Sequence, residues 1–320
     1  MTTAIRDDLE LEIEDLRKEK NAIVLAHYYQ HADIQDIADF VGDSLALSRK
    51  AATCEQDVIV FCGVRFMAET AKILNPSRTV VLPDYEASCS LVDGCPPAVF
   101  QAWREKHPDH VVVTYINSSL ELKSMSDYCC TSSNAVQIIE AIPADKKIIF
   151  APDKNLGAYL AKVTGREMLL WQGSCMVHEI FSEKHLVQLK EQHQDALVLA
   201  HPECEETILA LADFVGSTAG ILKFARESEH TKFLIGTEAR MIHAMEKEAP
   251  GKEFIPIPTS TGCACNECPH MMRNNMEKLR DCLRDLTPAI EIEESLRLRA
   301  LLPIEAMFKV CDGDVPTSGD

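Results

Sequence analysis

The stretch ADFVGDS, residues 38–44, returns almost unchanged as ADFVGST at residues 212–218, which is 174 residues later (212 minus 38). The stretch VLAH at 24–27 returns with the same offset at 198–201. An apolar run, a histidine, a second apolar-patterned run and a Gly-polar turn therefore recur in one register. Self-similarity at a fixed spacing indicates an internally repeated architecture.

A third, more divergent copy lies midway between these two. The distance from the end of the first apolar run to the polar residue after the turn is 17 residues in every copy: His27 to Ser44, Tyr115 to Ser132, and His201 to Thr218. Successive copies therefore start 88 and 86 residues apart (115 minus 27, and 201 minus 115). The spacing is kept in the middle copy although most of its letters have changed.

Each copy carries the pattern of a small α/β unit. Ile34, Ile37, Ala38 and Val41 fall at i, i+3, i+4 and i+7, which predicts an amphipathic helix after the first strand. A second helix is predicted after each turn, and its expected N-cap residues are Ser44, Ser132 or Ser133, and Thr218. Two more short apolar runs follow, such as VIVFCG at 58–63, and runs of this kind between helices indicate buried parallel strands.

The predicted fold class is therefore α/β, with three homologous small domains of parallel sheets flanked by helices. We expect a pseudo-three-fold arrangement around one central site, because related surfaces can pair cyclically. The predicted segments are a first repeat at 1–99, a second at 100–185, a third at 186–272 and a helical C-terminal extension at 273–320.

Composition excludes several classes of function. The net charge is −18 over 320 residues, which argues against nucleic acid or an anionic membrane as a partner. No apolar run reaches the length of a membrane span, and the charged N-terminal residues lack the apolar core of a signal peptide. We therefore expect a cytoplasmic protein that acts on small molecules.

Polar side chains stand in pairs at the ends of the three first strands. They are His27 with Tyr29, Tyr115 with Asn117, and His201 with Glu203. Members of a pair are two residues apart and point to the same face, and ligands of parallel α/β sheets bind at the carboxyl ends of the strands. A lone strand-end histidine is usually structural, but the recurrence of His27 as His201 favours one central site. Helix N-termini at the GDS and GST turns would bind anions there.

The cysteines follow the same repeat. There are thirteen, an odd number in a chain without a secretion signal, so a disulfide framework is not expected. Cys89 and Cys175 lie just after the last apolar run of their repeats, and the third repeat offers Cys263, Cys265 and Cys268. One thiolate from each repeat suits a [4Fe–4S] cluster with one open iron, whereas structural zinc prefers four ligands. The other cysteines are interpreted as structural.

The sequence resembles the quinolinate synthase family, the A protein of NAD biosynthesis. The resemblance spans residues of about 20 to 280 and is carried by these stretches: AHYYQ, DIADFVGDS, YINSS, CTSSNA, APDKNLG, WQGSCMVHE, AHPEC, VGSTAG, FLIGTE and CNECPHM. It implies three α/β domains around an oxygen-sensitive [4Fe–4S] cluster. It also implies condensation of iminoaspartate with dihydroxyacetone phosphate to quinolinate, phosphate and water, with iminoaspartate supplied by an aspartate-oxidising enzyme.

The resemblance also implies roles for individual residues. The cluster ligands carried over are Cys89, Cys175 and Cys268, although repeat spacing alone favours Cys263 in the third repeat. Cys263 and Cys265 are then extra thiols that could pair or be redox-active. The open iron would act as a Lewis acid. The expected proton-transfer residues are His27, Tyr29 and Glu203. The expected substrate-binding residues are Ser44, Tyr115, Asn117, Ser132, His178, His201 and Thr218.

Four points stay open. His178 and Glu179 are interpreted either as groups near the cluster or as a helix start, and Lys154 and Asn155 either as site-lining residues or as a turn. A hydro-lyase acting on a simple hydroxy acid with the same cluster is a second enzyme hypothesis. A zinc-binding or redox-sensing protein without turnover is a hypothesis from a different class.

Overall fold

A computed structural model describes residues 3–264 and 266–313. Within these residues the chain forms three parallel sheets of four strands each. The strand orders are β2-β1-β3-β4, β6-β5-β7-β8 and β10-β9-β11-β12, so the three sheets share one topology. The predicted α/β class and the three repeated parallel sheets are therefore confirmed, whereas the pseudo-three-fold arrangement and the four segment boundaries stay predictions.

The strands are short and lie at equivalent places in the three repeats. They are β1 (Ala22–His27), β2 (Phe40–Gly42), β3 (Val58–Cys62), β4 (Thr79–Val81), β5 (His110–Tyr115), β6 (Tyr128–Cys130), β7 (Lys147–Ala151), β8 (Met168–Leu170), β9 (Leu197–Ala200), β10 (Phe214–Val215), β11 (Lys232–Gly236) and β12 (Glu253–Pro256). Every residue of β1 and β3 is buried. Unbroken apolar runs of this kind are typical of parallel strands that helices cover on both faces.

The helices connect the strands and extend the chain beyond the last sheet. They are α1 (Thr3–Glu19), α2 (Ala32–Ile37), α3 (Ser44–Thr53), α4 (Arg65–Leu74), α5 (Ser90–Asp93), α6 (Pro97–Arg104), α7 (Leu120–Ser124), α8 (Ala135–Ala141), α9 (Lys154–Thr164), α10 (Glu183–Gln192), α11 (Glu206–Leu209), α12 (Thr218–Glu227), α13 (Met241–Glu248), a 3₁₀ turn (Met271–Arg273), α14 (Met276–Asp285) and α15 (Glu294–Cys311). None of the described helices is long and apolar enough to span a membrane.

The repeated ADFVG stretch is a strand and not the end of a helix. Helix α2 ends at Ile37, and residues 40–42 form β2, which pairs in parallel with β1. The predicted helical stripe that reached Val41 was therefore wrong at its C-terminal end. A strand of three residues is too short to leave its own periodicity in a sequence, and three of the four strands in each sheet had been expected.

Each of the three repeats has an aspartate at the same position, just before its second strand, and this explains part of the recurrence. Asp39 Oδ2 accepts the backbone N–H of Val24 at 2.8 Å, and Asp213 Oδ2 accepts that of Val198 at 2.8 Å. Asp127, where the middle repeat has changed most of its letters, accepts the N–H of Val112 at 2.7 Å. Each aspartate thus supplies a ladder hydrogen bond beside the start of the short strand. Part of the repeated sequence is therefore a requirement of the fold.

The helix N-caps differ by one or two residues from those predicted. Asp43 caps α3 by accepting the N–H of Ala46, and Ser217 caps α12 by accepting that of Gly220. Asn134 occupies the N-cap position of α8 without a side-chain cap bond. Ser44 and Thr218 are instead the first residues of their helices. Their hydroxyls are therefore not needed for capping.

The chain divides into two compact units. The first comprises residues up to Cys89 with Glu238–Pro250 and Glu267–Ile292. It contains the first sheet, and its core joins strand residues such as Val24 and Val60 to Leu279 and Leu283 of α14. The second unit comprises Ser90–Thr237, Gly251–Asn266 and the chain from Glu293. It contains the other two sheets, and α15 packs on β6, α7 and α8 of the second repeat.

Candidate active site

The second unit brings the first-strand ends of two repeats together. Tyr115 is the last residue of β5, and His201 and Glu203 follow β9. The Tyr115 hydroxyl donates a hydrogen bond to Glu203 Oε1 at 2.6 Å. All three side chains are almost fully buried, and Glu203 is only 3% exposed. Two of the three predicted strand-end pairs therefore contribute to one buried polar cluster.

His178 joins this cluster to the cysteine loop of the second repeat. Its Nδ1 lies 3.0 Å from Glu203 Oε2 and 3.2 Å from Cys175 Sγ, and its Nε2 lies 3.0 Å from Thr237 Oγ1. The His178 ring also stacks on that of His201, with centroids 4.7 Å apart. His178 therefore lies next to Cys175.

His27 and His201 occupy equivalent places and use the same local contact. His201 Nδ1 accepts the N–H of Glu203 at 3.3 Å, and His27 Nδ1 accepts the N–H of Tyr29 at 3.1 Å. When Nδ1 accepts, the neutral ring carries its proton on Nε2. In the first unit the His27 and Tyr29 rings meet edge to face with centroids 4.5 Å apart. The repeat thus fixes two histidines in one orientation and one tautomer.

The pKa values of two buried carboxyl groups of the second unit are shifted in opposite directions. Burial by itself would raise the pKa of Glu203, but the neighbouring His178 and His201 rings and the hydrogen bonds from His178 and Tyr115 hold it below its usual range. Burial, and then the charge of Glu203, raise the pKa of Asp153 well above its usual range. The surroundings therefore favour the ionised form of Glu203 and the protonated form of Asp153.

Asp153 is a site feature that the sequence analysis missed. It is fully buried and caps α9 by accepting the N–H of Leu156 at 2.8 Å through Oδ1. Its Oδ2 is buried without a hydrogen-bond partner. The signal was available in the DKNLG stretch, where an aspartate precedes an apolar helical pattern.

The residues after Asp153 support the same centre. Asn155 Nδ2 donates to the backbone oxygen of Glu203 at 3.2 Å. Lys154 Nζ contacts Glu179 Oε1 at 2.8 Å, and Ser174 Oγ contacts the other oxygen of Glu179 at 2.6 Å. Lys154 and Glu179 therefore tie the start of α9 to the loop that carries Cys175.

The remaining predicted substrate-binding residues lie at their expected strand ends and helix starts. Asn117 is partly buried, and its Oδ1 has no hydrogen-bond partner although the atom is buried. Thr218 is buried at the start of α12, and Ser132 is partly buried shortly before α8. The neighbouring Ser133 and Ser217 hydroxyls are 2.8 Å apart. Ser44 lies in the first unit, at the start of α3.

Of the free cysteines that the structure describes, seven are buried and four are only partly buried. Cys89, Cys175 and Cys268 are thiols that are only partly buried. Burial raises the pKa of the thiols of Cys95, Cys129 and Cys282 to about 12. The buried thiols as a group are Cys54, Cys62, Cys95, Cys129, Cys130, Cys204 and Cys282, and Cys311 is partly buried. Fully buried thiols with a raised pKa are poor metal ligands, because the ligand form is the thiolate.

The third repeat offers one accessible thiol among its described cysteines after β12. Cys263 is disulfide-bonded, whereas Cys268 keeps its thiol. Cys265 lies outside the described residues. The family motif and the repeat spacing had favoured different residues, and the disulfide at Cys263 favours Cys268.

One group of side chains within the second unit has the geometry of a metal site. Ligand atoms of Cys175, His178 and Glu203 all lie within 4.8 Å of one another. Thiolate, imidazole and carboxylate together suit zinc or iron. The group includes the second of the three cysteines predicted to bind a cluster.

Comparison with known proteins gives a consistent result over nearly the whole chain. Residues 11–309 match the model of a family described as Quinolinate synthetase A protein. The chain is 54% identical over 308 residues to a quinolinate synthase of Microcystis aeruginosa, covering 96% of this chain and 97% of the relative. It is 56% identical to one of Trichodesmium erythraeum, covering 96% and 95%. It is 58% identical to one of Chloroherpeton thalassium, covering 95% and 94%.

Proposed function

Because the chain belongs to the quinolinate synthetase A protein family, enzymes of NAD biosynthesis, we propose that it condenses iminoaspartate with dihydroxyacetone phosphate to quinolinate. Phosphate and two water molecules leave in the balanced reaction. The iminoaspartate comes from an aspartate-oxidising enzyme, and the reaction takes place in the cytoplasm. Such a reaction needs a centre that binds anions and moves protons while water is excluded.

The observation that carries this proposal is the buried Glu203 carboxylate with a proton donor on each oxygen. Tyr115 Oη lies 2.6 Å from Oε1, and His178 Nδ1 lies 3.0 Å from Oε2. Enolisation and dehydration each need an acid and a base within hydrogen-bond reach of the reacting atoms. An ionised carboxylate between a phenol and an imidazole can accept a proton from one side and return it to the other.

The residues predicted to hold a cluster suit that role chemically. Cys89, Cys175 and Cys268 keep their thiols and are partly exposed, in contrast to the buried cysteines of the cores. We propose that these three, one from each repeat, are the ligands of a [4Fe–4S] cluster. Such a cluster supplies a Lewis-acidic iron with an open position for a substrate oxygen or nitrogen. His178, at 3.2 Å from Cys175 Sγ, would orient that ligand.

The chain's other polar groups bind and orient the substrates in this proposal. Asn117 Oδ1 is buried without a partner and would accept a hydrogen bond from the substrate. Ser44, Ser132 and Thr218 stand at or near helix starts, where N–H groups and hydroxyls bind carboxylates and phosphate. His201 would donate from Nε2, because its Nδ1 is an acceptor. His27 and Tyr29 are assigned proton transfer through their repeat equivalence with His201 and Glu203.

Anaerobic turnover tests the proposal directly. Protein reconstituted with iron and sulfide under argon is given dihydroxyacetone phosphate and iminoaspartate made in the same vessel by an aspartate oxidase. We expect quinolinate from the cluster-loaded protein and none from a sample stripped by a chelator. Cluster-loaded protein that dehydrates a simple hydroxy acid but makes no quinolinate would support the hydro-lyase hypothesis instead.

Zinc in place of an iron–sulfur cluster is the second candidate for the metal, and the Cys175, His178 and Glu203 group favours it. This hypothesis predicts about one zinc ion per chain and no labile sulfide in protein purified anaerobically. The proposed cluster predicts iron and sulfide together, with the visible absorption of an iron–sulfur protein. Metal and sulfide analysis of one sample therefore separates the two.

A further inference from the structure

In each repeat the turn after the third strand contacts the loop that carries the cysteine. In the first repeat, β3 ends at Cys62, and the N–H of Arg65 donates to the backbone oxygen of Ala87 at 2.6 Å. Ala87 lies two residues before Cys89. The contact uses main-chain atoms on both sides.

The second repeat uses the same main-chain contact. The N–H of Lys154, just after β7, donates to the backbone oxygen of Gly173 at 2.8 Å. Gly173 lies two residues before Cys175, as Ala87 does before Cys89. A Cβ atom at Gly173 would lie 2.5 Å from the oxygen of Pro152, so glycine is needed for this close approach. The cysteine loop is therefore fixed directly against the end of β7.

The third repeat holds its cysteine loop with a side chain. Glu238 is fully buried two residues after the end of β11, the position that Val64 and Asp153 occupy in the other repeats. Its Oε1 accepts the N–H of Cys268 at 3.0 Å, and its Oε2 accepts the N–H of Arg240 at 2.8 Å. Both carboxylate oxygens are therefore used to join two backbone segments.

Loop length accounts for the change from main chain to side chain. From the end of the last strand to the cysteine there are 8 residues in the first repeat, 5 in the second and 12 in the third (89 minus 81, 175 minus 170, and 268 minus 256). A longer loop loses more conformational freedom when it is fixed. The buried Glu238 side chain offsets part of that cost by accepting two backbone N–H groups.

We propose that Glu238 is the positioning residue for Cys268, and that it presents this thiolate to the metal in place of the main-chain contact of the other two repeats. The inference rests on the proposed function in one respect, the assignment of Cys268 as a ligand. Groups that orient a metal ligand typically change metal affinity when they are removed. Glu238 touches no reacting atom in this proposal, so its substitution acts through Cys268.

The test compares Glu238→Ala and Glu238→Gln with Glu246→Gln, an exposed glutamate on α13. Each protein is reconstituted under argon, and release of iron to a chelator is followed with time. We expect release from Glu238→Ala to be about tenfold faster than from the parent protein. Glu238→Gln keeps one acceptor oxygen, so its rate of iron release should lie between those of the parent and Glu238→Ala. Glu246→Gln should release iron at the parent rate.

A second measurement uses the apoprotein and needs no cluster. The alkylation rates of Cys268 and Cys89 are read by mass spectrometry from the same sample, so Cys89 is an internal control for global unfolding. We expect the Cys268 rate to change in Glu238→Ala while the Cys89 rate does not. Equal changes at both cysteines, or none at either, would overturn the positioning role.

A separate test of Cys268 as a cluster ligand distinguishes an error in the ligand set from an error in the role of Glu238. Cys268→Ser that still assembles a full cluster would contradict the proposed ligand set whatever Glu238 does. Cys268→Ser without a cluster, together with Glu238→Ala that releases iron at the parent rate, would leave the ligand set intact and overturn the role of Glu238.

Discussion

Tyr115 and Glu203, 88 residues apart in the chain, are joined by a buried 2.6 Å hydrogen bond between the phenol and the carboxylate. Tyr115 ends the first strand of the second repeat, and Glu203 follows the first strand of the third. The bond therefore links equivalent sheet edges of the two repeats. It places a proton donor on a group that is held in its ionised form. A repeated fold has thereby assembled a buried acid–base pair from two strand ends.

Glu203→Gln should keep the cluster but lose most quinolinate formation. The amide has nearly the same shape but cannot take up a proton, so the relay between Tyr115 and His178 is broken. We expect turnover to fall by about 10²–10⁴-fold, the usual contribution of general acid–base catalysis. Tyr115→Phe removes the phenol end of the same relay and leaves the carboxylate, so it should also lower turnover while the cluster is kept. Turnover near that of the parent in Glu203→Gln would contradict the role of Glu203.

Asp153 should make the protein less stable as the pH rises. Its pKa is raised in the folded state, so above the ordinary aspartate pKa the unfolded chain ionises while the folded chain keeps the proton. The free energy of unfolding then falls by up to about 1.4 kcal/mol per pH unit for this one group, until the folded pKa is reached. Asp153→Asn keeps the acceptor for Leu156 and removes this dependence.

Chemical denaturation of the parent and Asp153→Asn from mildly acidic to neutral pH checks this expectation. The variant should gain stability relative to the parent as the pH rises. In a Glu203→Gln background the difference should shrink, because the charge that helps to raise the pKa is gone. Parallel stability curves for the parent and the variant would show that Asp153 does not hold its proton.

The hydroxyls of Ser44, Ser132 and Thr218 should affect quinolinate affinity more than stability. Asp43 and Ser217 supply the side-chain caps of α3 and α12, so alanine at 44 or 218 removes no cap bond. Each alanine variant should lose about 0.5–1.5 kcal/mol of binding free energy, the value of one net hydrogen bond. Calorimetric titration of quinolinate under argon measures this.

Ser217→Ala is the control for this series, because it removes a true cap and should lower the free energy of unfolding by about 1 kcal/mol. If all three hydroxyl variants bound quinolinate as the parent does, the recurrence of the helix starts would reflect the fold alone.

Asp127→Ala should destabilise the second unit by about 0.5–1.5 kcal/mol, since the side chain accepts a backbone N–H from Val112 beside a short strand. The exposed Asp145 provides the matched control, and Asp145→Ala should change stability little. The midpoints of denaturant unfolding compare the two. An Asp127 variant as stable as the Asp145 variant would mean that the repeated aspartate does not hold the sheet.

The sequence predicted the repeat, the parallel sheets and the strand-end pairs because spacing and apolar runs are local properties. It did not predict β2, since three residues carry no measurable period. Spacing alone favoured Cys263 in the third repeat, whereas the family motif favoured Cys268, and the choice between them stays a prediction. The contacts of Glu203 with His178 and of Glu238 with Cys268 depend on tertiary structure. The sequence pattern was sufficient to predict Asp153 as a helix cap, but it could not predict that Asp153 lies close to Glu203.

The central claim is that one cysteine from each repeat holds a single cluster, and iron and sulfide analysis of serine variants tests it most directly. The parent, Cys89→Ser, Cys175→Ser, Cys268→Ser and Cys263→Ser are reconstituted in parallel under argon and analysed for iron and sulfide per chain. We predict that the first three variants fail to assemble the cluster, while Cys263→Ser matches the parent. A full complement of iron and sulfide in Cys268→Ser, together with its loss in Cys263→Ser, would contradict the account.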